Sequence, residues 1–549
     1  MRSPLSKKLR GGWLGNPMFA LAMVLAQACA ADELLPPDKP VEEAIDHYLD
    51  VRLAKDGVTA AAQANDANLL RRTMLDLVGR IPTAAEAKAF VASTDPGKRV
   101  ALVDRLMASP AYVRQQTAEL DAILMRGTNQ SLKEYLATSL EKNVPWDQMF
   151  REMVVGQEGD AEQKGAIKFV RSRAKDTDKL TTDAGVLFFG VNVSCAKCHD
   201  HPLVPTWTQE HYFGMKSFFS RTYDVGEFIG EKEYGIVNYK TVQGESKDSR
   251  LMFLTGEVLT EPESKEPDDN AKKEEKKKLE ELKKGKQAPP AATYSRRARL
   301  VEIGLKEGTQ PYFARAIVNQ LWNRLMGRGM VMPLDQMHDQ NVPSHPELLA
   351  WLARDMQTHK YDLRRLIRGI ALSKAYSRTS EWDGSKERPS DELFAIAIVR
   401  PLTPWQYGTS LRVAVASPEY FSSDLKEDEF DNRVKQMEGA GRNIAGSLEY
   451  PGDDFQVSVD EALLFSNSDK VKNELLRDGK EMLSTKLTET KERREAMDTA
   501  IWNIYSRPPA DEELQALEQF LHKHEDQPAQ AWKQAIWAML TSGECRFNY

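Results

Sequence analysis

The chain has 549 residues and a mass of 62.0 kDa, with 41% apolar and 29% charged residues. That length calls for two or more domains, and that composition excludes both a membrane-embedded protein and a wholly disordered one. Lys plus Arg number 75 against 82 Asp plus Glu, a net charge of −7 that speaks against a nucleic-acid binder, and four cysteines exclude a disulfide-dense scaffold.

Residues 1–30 read as a signal peptide. Arg2, Lys7, Lys8 and Arg10 form a basic start, Met18 to Ala28 a short apolar run, and Ala28-Cys29-Ala30 a small-x-small cleavage pattern. The chain is therefore expected to be exported, to the periplasm or the cell surface. Cleavage before Cys29 would make that cysteine a lipid anchor, although Gln27 is a poor residue just upstream of such a site. Without residues 1–30, 71 basic residues face 82 acidic ones, a net charge of −11. No later segment reaches 18 consecutive apolar residues, so no transmembrane span is expected.

Residues 31–260 read mainly as helix. Val41, Ala44, Ile45, Tyr48 and Leu49 fall at helical spacing. Thr83 with Glu86, and Ser131 with Glu134, have the spacing of capping boxes. Tyr234 to Val242 and Leu251 to Leu254 are the best strand candidates. Residues 261–287 then hold 18 charged residues, and Pro289 and Pro290 follow. Such a stretch cannot bury a core, so residues 261–292 are expected to be a charged disordered linker. Lys272 to Lys284 could still form a solvated helix through Glu/Lys pairs. Residues 293–549 return to helical patterning. Ser344 and Glu347 bracket Pro346 as a capping box, and Leu363, Leu366, Ile367, Ile370 and Ala371 make a core-facing stripe. Thr403-Pro404-Trp405-Gln406 orders a cap, a helix-start proline and a capping glutamine. The expected fold class is mainly α: two helical regions with a small β element between them, joined by the charged linker.

One segment carries chemistry: Gly190-Val191-Asn192-Val193-Ser194-Cys195-Ala196-Lys197-Cys198-His199-Asp200-His201-Pro202. Cys195-x-x-Cys198-His199 is the attachment pattern of c-type haem. Two thiols three residues apart can form thioethers with one haem, and the adjacent imidazole can ligate its iron. Two other readings stay open. Cys195, Cys198, His201 and His211 offer four ligands for a tetrahedral zinc site, and Cys195 with Cys198 could close a plain disulfide. For a haem, His201 is a poor second axial ligand, because two residues span at most about 7 Å and keep it on the face of His199. Met215, Met252 and His211 could reach from elsewhere, though each reads first as packing or surface. Asn319, Arg324, Asp335, Asp339 and His345 could line a second-half pocket, or simply satisfy buried backbone and helix ends.

The two halves resemble the PSCyt-two and PSD-one families, the domains of unknown function fifteen-forty-nine and fifteen-fifty-three, common in planctomycetes and related bacteria. In the first half the resemblance lies in Leu70 to Thr83, Leu102 to Tyr112, and the motif segment through Pro202 to Trp207-Thr208-Gln209 and Tyr212-Phe213. In the second it lies in Tyr312 to Trp322, Gly327-Arg328-Gly329, Pro343 to Leu349, Tyr361-Asp362-Leu363 and Arg507-Pro508-Pro509. These families accompany cytochrome c modules, so the resemblance implies export and haem as cofactor. In the family pattern an acidic residue stands where this chain has His211, which weakens the zinc scheme. No separate cytochrome module precedes the first half here, which implies a separate redox partner.

The expected function is extracytoplasmic electron transfer or redox chemistry by one covalent haem c on Cys195, Cys198 and His199. The alternatives are a zinc-dependent hydrolase or lyase using Cys195, Cys198, His201 and His211 or Asp200, and a non-catalytic surface assembly protein whose motif is a local staple.

Overall fold

The computed structural model describes residues 34–549 apart from 157–159, 161, 307–310, 385–386, 452–460, 462–464 and 466–467. Residues 1–30, where a signal peptide and the possible lipid anchor Cys29 are expected, lie outside the described residues. The fold is mainly α, and its named strands form four two-stranded antiparallel sheets among the described residues. No described helix is long and apolar enough to cross a membrane.

Local chemistry explains several elements. The helix Val41–Asp56 buries Val41, Ala44, Ile45, Leu49 and Leu53, the spacing that makes one apolar face. Thr83 and Glu86 form their capping box at the helix Ala84–Ala92, and Thr403 and Gln406 form theirs at Pro404–Ala414. The other two expected boxes do not form. Asp121 captures Ser131 Oγ and the Leu132 N–H, so the helix Lys133–Glu141 starts without a side-chain cap. Ser344 Oγ pairs with His345 Nδ1, and Pro346–Thr358 starts at the helix-start proline alone. Ser131 Oγ accepts instead from the Lys133 N–H at 3.1 Å, a local turn that competes with the box.

The β element is smaller than expected in one place and larger in another. Of Tyr234 to Val242 only Asn238–Lys240 is strand, paired with Ser246–Asp248. Leu251–Met252 pairs with Val258–Leu259. An additional hairpin, Thr222–Val225 with Phe228–Glu231, turns at Gly226. Within the charged segment a helix spans Asp269–Lys284 and buries no residue. It is tied to the rest of the chain around Glu275 and Lys272: Tyr234 donates to Glu275, Lys232 pairs with Glu275 at 3.8 Å, and Lys272 lies over the Tyr234 ring and pairs with Glu266 at 3.1 Å.

The charged segment separates the halves in sequence but not in packing. One core takes buried side chains from Val41 to Leu254 and from Leu300 to Phe394. Its centre is aromatic: Phe150 meets Phe188 at 4.5 Å and Phe313 at 4.9 Å between ring centroids, and Trp146 stacks on Phe313 at 6.2 Å. Each such ring contributes about 2–3 kcal/mol by burial. Phe313 comes from the second half and the others from the first, so this burial holds the halves together. A second core joins Leu75 and Ile81 to side chains between Leu402 and Cys545. Asp76, on the helix Asp66–Val78, adds a buried polar tie. It accepts from both terminal nitrogens of Arg400, the Tyr376 hydroxyl and the Asn548 amide.

Candidate functional site

The motif begins where the helix Thr177–Phe189 stops. Phe188 and Phe189 are buried in the aromatic core, which fixes the end of the helix. Gly190 has φ +67°, a left-handed conformation that glycine adopts without a Cβ penalty. The Gly190 N–H reaches back to the Val186 carbonyl at 3.1 Å, the bond of an αL helix stop, and the Val191 N–H reaches the Gly185 carbonyl at 3.0 Å. A side chain at Gly185 would lie 2.8 Å from the Val191 carbonyl, so this tight turn also requires glycine there.

Beyond the stop, Val193–Lys197 forms a single 3-10 turn. Asn192 caps it, accepting from the Ser194 N–H at 3.2 Å and the Ser194 hydroxyl at 2.6 Å. Val193 and Ala196 face inward, which leaves Cys195 and Cys198 exposed as free thiols. His199 is exposed too, and its Nδ1 lies 2.7 Å from the Asp200 carbonyl. A carbonyl only accepts, so Nδ1 carries the proton and Nε2 keeps its lone pair for a ligand bond.

A polar brace holds the turn from the side. Asp178 accepts from Lys197 at 2.8 Å, Lys216 at 2.7 Å and the Tyr212 hydroxyl at 2.6 Å. Burial works against its charge, but these hydrogen bonds outweigh that and hold the carboxyl well below the usual range. Gln209 bridges the Lys197 carbonyl at 3.2 Å to the Val242 N–H at 3.0 Å. This bridge brings Val242, 64% exposed, beside the turn. Leu203, 59% exposed, follows the motif on the same loop.

The second half forms the floor. Asn192 donates through its backbone to the Asp335 carbonyl at 2.8 Å and through its side-chain amide to the Asp335 carboxylate at 2.9 Å. Val191 forms a bridge with Gln336, and the Met337 N–H donates to the Gly190 carbonyl at 2.9 Å. His338 lies edge-on to Trp207 at 5.8 Å and His201 at 6.2 Å between ring centroids. Four consecutive residues thus meet the motif loop in succession.

The expected ligands divide accordingly. Cys195, Cys198 and His199 share one exposed turn. His201 is buried, and its Nδ1 accepts the backbone N–H groups of Leu203 and Val204 at 3.3 and 3.2 Å. His211 accepts the Thr208 N–H as a helix cap. Among the described residues no three His, Cys, Asp or Glu side chains are grouped to hold a metal ion, so the four zinc candidates do not converge. Met215 and Met252 are buried as packing. The second-half candidates also go separate ways. Asn319 satisfies both the N–H and the carbonyl of Val331, and Arg324 donates to Gln116. His345 is buried against Phe394, and Asp335 meets the motif loop at Asn192. Sequence reasoning missed the contribution of Gln336, Met337 and His338, because nothing local in a sequence marks a contact more than 130 residues away.

The fold and site define a class: a mainly helical protein of two interlocked halves, presenting a Cys-x-x-Cys-His turn that one half builds and the other floors. Two family models match, PSCyt2, a protein of unknown function (DUF1549), over residues 44–224, and PSD1, a protein of unknown function (DUF1553), over residues 296–435. The chain belongs to the family that pairs these two domains in this order. The motif turn falls within the first match and its floor within the second. No curated relative and no solved structure matches the chain significantly.

Proposed function

We propose that this is an exported haem protein of extracytoplasmic electron transfer or redox chemistry, with one covalent haem c and a separate redox partner. Cys195 and Cys198 would hold the haem through thioethers, and His199 would be its proximal ligand. The observation that carries this reading is the exposed turn itself. Both thiols are free, and the His199 tautomer set by the Asp200 carbonyl leaves Nε2 as the ligating nitrogen. The residues fit the group in a second respect. Leu203 and Val242 expose apolar surface next to the turn, the kind of surface a flat macrocycle covers. When bound, the haem would supply a one-electron couple at its iron. The chain's own part is to anchor the porphyrin, hold the imidazole in one tautomer and brace the turn through Asp178 and Asn192. No observation favours the zinc reading comparably, since His201 and His211 direct ring nitrogens to backbone N–H groups.

The test is an absorbance spectrum of mature protein secreted from a host that matures c-type cytochromes, taken in alkaline pyridine after reduction. A c-type α-band at about one haem per chain supports the reading. A colourless protein refutes it. Metal analysis and a thiol count of the same sample then separate a metal site from a Cys195–Cys198 disulfide.

A further inference from the structure

A cleft of about 720 Å³ lies between the two halves. The first half lines it from the helices Pro110–Leu124 and Thr177–Phe189 and from the loop after the former. The second half lines it from Gln320 and from Pro333 to Asp335. Cys195, Cys198 and His199 do not line it. At 3.6 residues per turn, Asp183 and Leu187 sit about 140° and 180° around the helix Thr177–Phe189 from Asp178, which braces the motif turn. The cleft is therefore on the side of that helix facing away from the turn. Clefts of about 300–1,000 Å³ between domains are the usual seats of small organic ligands.

Walls and charges together narrow the ligand. Ile123, Val186, Leu187 and Leu334 supply an aliphatic lining. Asp121 also lines the cleft and is only 8% exposed. Its carboxylate accepts from the Leu132 N–H at 2.6 Å and the Ser131 hydroxyl at 3.0 Å. The nearest cation among the described residues is Lys133, 4.0 Å away and mostly exposed. A carboxylate this buried ordinarily has a close counter-ion. Asp335 gives one carboxylate oxygen to the Asn192 amide at 2.9 Å and makes no ion pair among the described residues. The arginines of the lining do not balance these two charges. Arg173, 1% exposed, is committed to Asp183 at 2.5 Å and to the Leu124 and Phe169 carbonyls at 2.7 and 3.0 Å. Arg126 is exposed, where water and salt screen its charge.

We propose that this cleft binds a small aliphatic amine in its ammonium form, with its apolar body against Ile123, Val186, Leu187 and Leu334 and its charge neutralising Asp121 and Asp335. A neutral apolar molecule would leave the buried carboxylate uncompensated, and an anion would meet it as a like charge. Asp335 also holds Asn192, the cap of the motif turn, so cleft and motif share one residue. The site uses none of the cysteine or histidine residues assigned to the haem and stands or falls apart from that reading.

The test is isothermal calorimetry of the mature chain with octylammonium, 1-octanol and octanoate. Octylammonium should bind at one per chain, at least about tenfold tighter than 1-octanol, and octanoate should not bind. Asp335→Asn keeps an oxygen for the Asn192 amide but removes the charge, and should weaken octylammonium several-fold while leaving 1-octanol unchanged. Leu187→Trp fills the cleft and should abolish binding. Absence of saturable octylammonium binding, equal affinity for the three probes, or an octylammonium affinity unchanged in both variants overturns the proposal. Should the variants not fold, photolabelling of the wild-type chain with a diazirine-bearing alkylammonium locates the site. Labels within 121–130, 183–187 or 320–335 that octylammonium competes away support the proposal, and labels confined elsewhere overturn it.

Discussion

Replacing Asp76 by alanine should be among the most damaging single changes outside the motif. The carboxylate is almost fully buried and accepts from Arg400 at 2.8 and 3.1 Å, from the Tyr376 hydroxyl at 2.6 Å and from Asn548 at 3.0 Å. Burial and the Asp76 charge together push the Tyr376 phenol well above its usual range, so it is a donor at every accessible pH. Asp76→Ala removes the acceptor common to three donors and strands the Arg400 charge in the interior. Breaking a buried pair by removing one partner costs about 3–5 kcal/mol. Removing both charges with shape kept, as in Asp76→Leu with Arg400→Met, should cost less than the two single changes added together, with a coupling of about 1–3 kcal/mol. Urea unfolding of the mature chain, followed by tryptophan fluorescence, measures all four species of the cycle. Because Asp76, Arg400 and Asn548 lie in three separate stretches of sequence, the loss should also loosen the C-terminal strand, read as faster amide exchange at Phe547 and Asn548. A loss under about 1 kcal/mol for Asp76→Ala, the value of an exposed pair, would refute the reasoning.

Three further outcomes are expected. Burial, with Arg52 nearby, lowers the His345 imidazole to about 4, so the folded state stays neutral where the unfolded state, near 6.5, takes up a proton. Stability from this group should therefore be lost as pH falls from about 6.5 to about 4, by up to about 3 kcal/mol; an NMR titration of His345 near its ordinary value would contradict this. Burial pushes the Cys545 thiol up to about 12, so iodoacetamide at pH 8 should modify Cys195 and Cys198 in the haem-free reduced chain and leave Cys545 intact until unfolding, as peptide mass mapping reads. Replacing residues 269–284 by a Gly/Ser stretch of the same length should change the unfolding free energy by no more than about 1 kcal/mol, since that helix buries nothing; a larger loss in urea unfolding would mean the helix packs in solution.

Much of the helical character was legible because it is local. The stripe Leu363, Leu366, Ile367, Ile370 and Ala371 became the buried face of Leu363–Leu372, and the Thr83 and Thr403 caps need only residues three apart. At Ser131 and Ser344 the box does not form, and the hydroxyls meet Asp121 ten residues upstream and the adjacent histidine. The cysteines and His199 could be singled out because they stand within five residues of one another, and all three are exposed at the turn Val193–Lys197 and just after it. The zinc set could not be judged from spacing alone, because the decisive feature is which ring nitrogen of His201 and His211 the backbone occupies.

What the sequence determined by itself is the helical class and the order of the two halves, and it singled out the Cys-x-x-Cys-His turn as the candidate site, since each reading depends on residues within a few positions of one another. What only the tertiary structure decided is that the halves share one core across the charged segment, and that Asp335 to His338 form the floor of a turn built near residue 195. Phe313 meeting Phe150, or His338 facing His201, leaves no periodic trace in a single chain. Such contacts arise from burial and complementarity between distant surfaces, which hydrophobic patterning announces only as apolar or polar and never as a particular partner.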